Sequence, residues 1–315
     1  MSAKRKLASA LFKGLYFAGK KFHDGGISIL SYHSLDDYGT PLSVSPRLFA
    51  AHMKVLDAER YTTLTMSQVA EHLADGLAFP PRSVAVTFDD GFANLASVGA
   101  SIMARYGVSA TVYVIAGMAG KVTAWTDTGG ISLPHLPLLT WKQIEALQAG
   151  GGPAHIEIGA HSMTHGFLTD YPRQQLEYEL VVGKAEIERR LGVPASAFAY
   201  PQGDYNARVV AATRGAGYTT AVTVDQGRAT PRSEAFMLPR LLVSNNTTPE
   251  RLRAVLTPAS GSAYVAINIL FKRVLGRPQW PRRAPGEVDS TRTMDQAPEL
   301  AEESGVSVRS TISGI

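Results

Sequence analysis

The chain has 315 residues, 45% of them hydrophobic and 18% charged, a balance that suits a globular protein with a full-sized core. It contains no cysteine, which excludes disulfides and thiolate metal sites and leaves any metal to His, Asp or Glu. The formal net charge of +4 is concentrated at the start, where Lys4, Arg5, Lys6, Lys13, Lys20 and Lys21 face only Asp24; the near-neutral remainder argues against a nucleic-acid-binding body.

Leu7, Leu11, Leu15 and Ala18 recur at helical spacing among these lysines. Residues 1–24 therefore read as a basic amphipathic segment, either lying on an anionic membrane surface or packed on the body. Lys13 interrupts the apolar run and no small-residue cleavage site follows, so a cleaved signal peptide is not expected. No run reaches the length that spans a bilayer. The cytoplasm, or the inner face of the membrane with the basic segment as its hold, is the expected location.

The body spans 25–256. ISILSY (27–32) reads as a strand, PRLFAAHMKVLDAER (46–60) as a helix and SVAVTF (83–88) as a strand. A helix over 92–107, a strand over 109–117 and a long connection, 117–138, follow. The helix 139–151 has Thr140 as its cap and glycines at its end. Then come a strand (155–161), a helix (173–192) with Leu176, Leu180 and Ile187 on one side, a strand (197–201), a helix (206–217) and a strand (218–224). Strand–helix alternation of this kind predicts a parallel sheet covered by helices, open or closed into a barrel. Residues 257–280 contain a second basic amphipathic helix at 264–277, and 281–315 are polar and read as disordered. No internal repeat is visible.

In such folds functional side chains gather at the carboxyl ends of strands. Asp89 and Asp90 stand together at one such end, in VAVTFDDGF. Adjacent carboxylates repel unless a cation or a shared proton relieves them, although Asp-Gly is also a common turn pair. His161 stands at a second strand end, with His165 four residues on; if the chain turns helical there, both rings share a face and can grip one ion. Two imidazoles, a carboxylate and an open position for water describe a catalytic zinc-type site. The second carboxylate would then serve as general base.

The motifs in this order resemble those of the polysaccharide deacetylases with the NodB-homology domain, family 4 of the carbohydrate esterases. TFDDG (87–91) is similar to the first motif, HSMTH (161–165) to the second, FAYPQGDY (198–205) to the third and MLPRLLV (237–243) to the fourth; SYH (31–33) resembles the opening strand of many bacterial members. The resemblance covers about 25–245. It implies a distorted (β/α) barrel with fewer than eight strands, and a divalent metal, most commonly Zn2+, on Asp90, His161 and His165. It also implies Asp89 as base and the backbone N–H of Tyr200 as an oxyanion donor. The reaction implied is hydrolysis of an N-acetyl, sometimes O-acetyl, group on a glycan.

Two departures stand out. Many members place an arginine just before the third motif to orient the base; here Ala199 stands there, and Arg240 is the candidate substitute, a plain salt bridge being its other reading. Many members also supply a late histidine as general acid, and no histidine follows His165. The acid is then His33, a group such as Tyr200, or water. The Y-P-x-G form without the late histidine resembles members acting on biofilm exopolysaccharides. The expected substrate is an N-acetylated amino-sugar polymer or a lipid-linked oligosaccharide. The alternatives are a small sugar, nucleotide sugar or glycolipid, or a glycan-binding relic without activity. Trp125 and Trp141 are candidates for stacking on sugar rings, with a core role favoured for Trp141; His135 reads as an exposed loop residue and His155 as structural.

Overall fold

The computed structural model describes residues 24–123, 134–150 and 154–258. Most of the basic N-terminal segment, Trp125, the helix expected at 264–277 and the polar tail lie outside them. Eight parallel strands are present among the described residues: β1 (Ser28–Tyr32), β2 (Thr62–Leu64), β3 (Ser83–Phe88), β4 (Ala110–Val114), β5 (Ile156–Ala160), β6 (Ala197–Ala199), β7 (Thr220–Gln226) and β8 (Leu238–Leu242). Seven of them close a ring. β1 pairs with β3 on one edge and with β8 on the other, and β3 to β8 follow in chain order. β2 pairs with Ser83–Ala85 at the start of β3, whereas β4 pairs with Thr87 and Phe88 at its end. β2 is thus a wedge on the N-terminal side of the barrel, between strands that splay apart there.

The helices that cover the ring are α1 (Pro46–Ala58), α2 (Met66–Ala74), α3 (a π segment Leu95–Gly99 running into Ala100–Arg105), α4 (Trp141–Ala149), α5 (Arg173–Glu177, a π segment Tyr178–Val182, then Gly183–Leu191), α6 (Ala207–Gly215) and α7 (Pro249–Leu256). Their starts follow from capping chemistry. Thr140 accepts from the Gln143 N–H while the Gln143 side chain reaches back, as Thr65 and Gln68 do for α2. Ser45 and Thr248 cap helices that begin with Pro46 and Pro249. Within the described residues no helix is long and apolar enough to cross a membrane.

The sequence reading misses β2, β8, α2 and α7. β2 is too short to display an alternation. β8 contains Pro239, which argues against a strand; it is tolerated where the β7–β8 register is irregular.

Side chains alternate across the wall with period two. Ile27, Ile29, Ala85, Tyr113, Ala197, Ala199, Val222 and Leu238 pack together in the lumen. Their neighbours Leu30, Tyr32, Val84, Val86, Phe88, Val112, Val114, Ile158 and Phe198 pack outward among the helices. Met66, Val69 and Phe79, from α2 and the loop after it, join the luminal cluster. Glu157 ties down the start of α2 by accepting from the Met66 and Ser67 N–H groups at 2.8 and 3.1 Å. Climbing β1 and β3, the luminal positions turn from apolar to polar, through Ile29, Ser31 and His33 and through Ala85, Thr87 and Asp89, which is where the chemistry gathers.

One polar link runs through the outer layer. Buried His52 on α1 meets the Thr247 carbonyl at 2.6 Å through Nε2 and the Tyr32 hydroxyl at 3.1 Å through Nδ1. With Nε2 donating to the carbonyl, neutral His52 accepts from Tyr32 at Nδ1. Burial pushes the His52 pKa down from 6.5 to about 4. The unfolded chain therefore binds more protons between those values, so this contribution is complete above pH 6.5 and lost as pH falls towards 4. Its full size is roughly 3 kcal/mol. Urea titrations of wild type and His52→Gln are expected to show the difference in stability shrinking as pH drops through that window. A constant difference would mean that His52 does not titrate with folding.

Candidate active site

Asp89 follows β3 on a luminal position, and its backbone N–H continues the ladder by donating to the Tyr32 carbonyl at 3.0 Å. Its carboxylate meets Arg240 of β8, which lies beyond β1 in the ring. Arg240 Nη1 donates to Asp89 Oδ1 and Nη2 to Oδ2, each at 2.6 Å. The guanidinium also donates to the Thr223 carbonyl at 2.9 Å and to Thr87 Oγ1 at 3.1 Å, and it lies over the Tyr113 ring. Arg240 is only 1% exposed. Burial alone would raise the Asp89 pKa, but the paired guanidinium outweighs it and holds the carboxyl below its usual range.

The chain then turns sharply. Asp90 has φ +68° and Gly91 φ +71°, left-handed values that a non-glycine residue adopts at a cost. This turn separates the two carboxylates. Asp89 faces Arg240, while Asp90 Oδ1 lies 3.3 Å from His161 Nε2 and 3.2 Å from His165 Nε2. One ligand atom from each of Asp90, His161 and His165 falls within 4.8 Å of the others, and all three residues are buried.

The two histidines are not brought together by a helix. β5 ends at Ala160, and Ser162 and His165 both have positive φ, +62° and +66°. A tight non-helical turn replaces the expected helical one. The His165 N–H donates to Ser162 Oγ at 3.0 Å within it. His161 is fixed by its other nitrogen, which donates to the Ala199 carbonyl at 2.8 Å.

That bond sets the chemistry of the site. With its proton on Nδ1, neutral His161 turns an Nε2 lone pair towards the carboxylate oxygen of Asp90. Two acceptors at 3.3 Å require a cation or a proton between them. Burial would lower the His161 pKa, yet Asp90, Asp89 and the Ala199 carbonyl together raise it, and the same imidazoles hold Asp90 well below the carboxylate range. The donor set, one carboxylate and two imidazoles with the tautomer of one fixed from behind, fits a divalent ion of the zinc type.

His33 follows β1 with Nε2 3.7 Å from Asp89 Oδ2. Burial lowers its pKa despite the nearby carboxylates, which favours the neutral imidazole. Its Nδ1 is buried without a hydrogen-bond partner.

The structure corrects the reading of Tyr200. Its backbone N–H donates to the Val222 carbonyl at 3.2 Å, so that donor is committed to the sheet. Its hydroxyl donates to the Phe236 carbonyl at 3.0 Å in the outer layer, which removes it as a proton source at the metal ligands. Pro201 has no N–H, so Gln202, at φ +56°, carries the next main-chain donor after β6.

Of the other candidates, Trp141 packs partly buried against the core with Arg190 over its ring, as favoured. His135 is exposed and bonded to the Thr123 carbonyl at 2.7 Å, and His155 is exposed at the start of β5.

The sequence reading overlooks Glu179. It is fully buried on α5, where its carboxylate accepts from the Met163 and Thr164 N–H groups in the histidine turn. The signal was present: Glu179 falls on the same helical stripe as Leu176, Leu180 and Ile187, an acid on an apolar face.

Comparison with known proteins agrees with this geometry. Residues 77–221 match the polysaccharide deacetylase family model. YxkH of Bacillus subtilis strain 168 is 28% identical over 218 residues, covering 69% of this chain and 71% of that protein. The poly-β-1,6-N-acetyl-D-glucosamine N-deacetylase of Staphylococcus epidermidis is 24% identical over 211 residues, covering 65% and 69%. Among solved structures, the Streptococcus pyogenes deacetylase PplD in complex with acetate superposes with a TM-score of 0.64 at 25% identity, covering 74% of this chain and 99% of that one. Residues 77–221 are thus similar to the polysaccharide deacetylase family of hydrolases, and the seven-stranded (β/α) barrel resembles the fold of the Streptococcus pyogenes deacetylase. His33 and Arg240 lie outside the span that the family model matches.

Removing Arg240 strands a buried carboxylate. Arg240→Met is expected to lower stability by about 3–5 kcal/mol in chemical denaturation. The double variant Asp89→Asn/Arg240→Met is expected to regain a good part of that loss, because neither charge remains. Additive losses would mean that the two groups are not coupled.

Proposed function

We propose that the protein is a metal-dependent N-deacetylase of an N-acetylated amino-sugar polymer, acting in bacterial exopolysaccharide modification. One observation carries this reading: a carboxylate locked by an arginine stands beside a separate, convergent set of one carboxylate and two imidazoles. A divalent ion on Asp90, His161 and His165, Zn2+ in the first place, would polarise the amide carbonyl and acidify a bound water. Asp89 has the other task. Arg240 keeps it ionised and fixes both its oxygens, so it is ready to take a proton from the attacking water. The leaving nitrogen needs a proton in turn. We assign that step to His33, which faces Asp89 and receives the proton that Asp89 has taken. The ion pair with Arg240 argues against an inactive relic, since a binding site has no use for an oriented, ionised base.

The relatives support this substrate class. The Staphylococcus epidermidis protein is named for poly-β-1,6-N-acetyl-D-glucosamine, and that linkage is the first to test. Zinc-loaded protein is expected to release acetate from acetylated glucosamine oligomers, more from β-1,6- than from β-1,4-linked chains. Chelation should abolish release. Asp89→Asn should reduce kcat by about 10²- to 10⁴-fold, the usual contribution of a general base, while still binding zinc. Release that survives both chelation and Asp89→Asn would overturn the mechanism. Release from N-acetylglucosamine monomer or a glycolipid but from no oligomer would replace the polymer with a small substrate.

A further inference from the structure

The two histidine ligands are held by different means. His161 sits on the end of a strand, with its ring anchored to the Ala199 carbonyl at 2.8 Å. His165 hangs on a turn whose backbone passes through left-handed values at Ser162 and at His165 itself. Such a turn keeps its shape only where its surroundings over-determine it.

We infer that Glu179 is a positioning residue that holds this turn, and through it His165, in the metal-binding conformation; the inference rests on the metal-centre reading above. The buried Glu179 carboxylate meets the turn with both oxygens. Oε2 accepts from the Met163 N–H at 3.0 Å and from the Thr164 N–H at 2.9 Å. Oε1 accepts from the Thr164 hydroxyl at 2.6 Å and from the Gln175 amide at 3.3 Å. Two successive main-chain donors on one oxygen fix the direction of the peptide planes just before His165. Charge-assisted bonds of this kind are shorter and stronger than neutral ones.

The helix is shaped to deliver that carboxylate. Glu179 lies in the π segment Tyr178–Val182, whose extra residue per turn widens the helix at this point. Gly183, one turn later, lies directly under the loop: a Cβ there would come within 3.2 Å of the Met163 nitrogen and 3.3 Å of the Ser162 carbonyl carbon. The other side of the turn is bonded to the β4 end, where the Ala116 and Gly117 N–H groups donate to the Ser162 and Met163 carbonyls at 3.1 and 2.9 Å. The turn is therefore clamped between α5 and the loop after β4, and Glu179 is the only carboxylate in that clamp among the described contacts. His161 needs none of this, because its ring is anchored to β6.

This asymmetry gives the test. Zinc affinity is measured by chelator competition on the full chain, and the ligand field is read from the visible spectrum of the cobalt-substituted protein. Glu179→Ala is expected to weaken zinc binding about 10- to 100-fold, the usual loss on removing a group that supports a ligand, and to alter the cobalt spectrum. Glu179→Gln, which can still present an oxygen to the two N–H groups, should stay within a few-fold of wild type. In double variants, Glu179→Ala should add little to the loss caused by His165→Ala but add fully to that caused by His161→Ala. A lower melting temperature for Glu179→Ala with unchanged zinc affinity and cobalt spectrum would reduce Glu179 to a structural role and overturn the inference. If Glu179→Ala does not fold, Glu179→Asp, which withdraws the carboxylate by one methylene, carries the same expectation at smaller size. Failure of wild type itself to bind zinc or cobalt would instead overturn the metal reading.

Discussion

The buried pair of Asp89 and Arg240 is the interaction on which the site depends. Taking two charges out of water is costly, and their attraction compensates only when geometry is good and the remaining donors are satisfied. Here both Asp89 oxygens meet the guanidinium fork, and the other donors of the fork reach Thr87 and the Thr223 carbonyl. The pair bridges over β1, which lies between β3 and β8 in the ring. It gives Asp89 a single orientation.

That constraint explains the adjacent carboxylates. In an extended strand, consecutive side chains point to opposite faces, and Asp90 would be driven into the outer apolar layer. The left-handed turn at Asp90 and Gly91 carries it back over the mouth, towards His161 and His165. Neighbours in sequence thus become groups with separate partners and separate environments. One is paired with a fixed cation from the protein. The other faces two imidazoles, an arrangement that suits a cation or a proton between them.

The supports for the two imidazoles come from distant parts of the chain. The Ala199 carbonyl holds His161 across the β5–β6 edge, and Glu179 reaches the His165 turn from α5. Neither support is visible as a motif, because one is a backbone oxygen and the other a carboxylate inside an amphipathic helix. Strain at three positive-φ residues is concentrated in this small region, where the surrounding hydrogen bonds maintain it.

Much of this protein is legible in the sequence alone. The alternation of strands and helices, the cap at Thr140, and the pairing of Asp89–Asp90 with His161 and His165 are local features. They follow from side-chain period, hydrogen-bonding capacity and charge. The sequence by itself determined which residue types are available for the chemistry, and that no thiolate takes part. Tertiary structure alone decided the partnerships. Arg240 reaches Asp89 across 151 residues, and Tyr200 loses its expected roles because its N–H and hydroxyl are taken by Val222 and Phe236. β8 was hidden by its proline, and the histidine turn proved left-handed rather than helical. The physical reason is the closure of the ring: it sets strands remote in sequence face to face, and which polar groups then satisfy one another is not written in any local pattern.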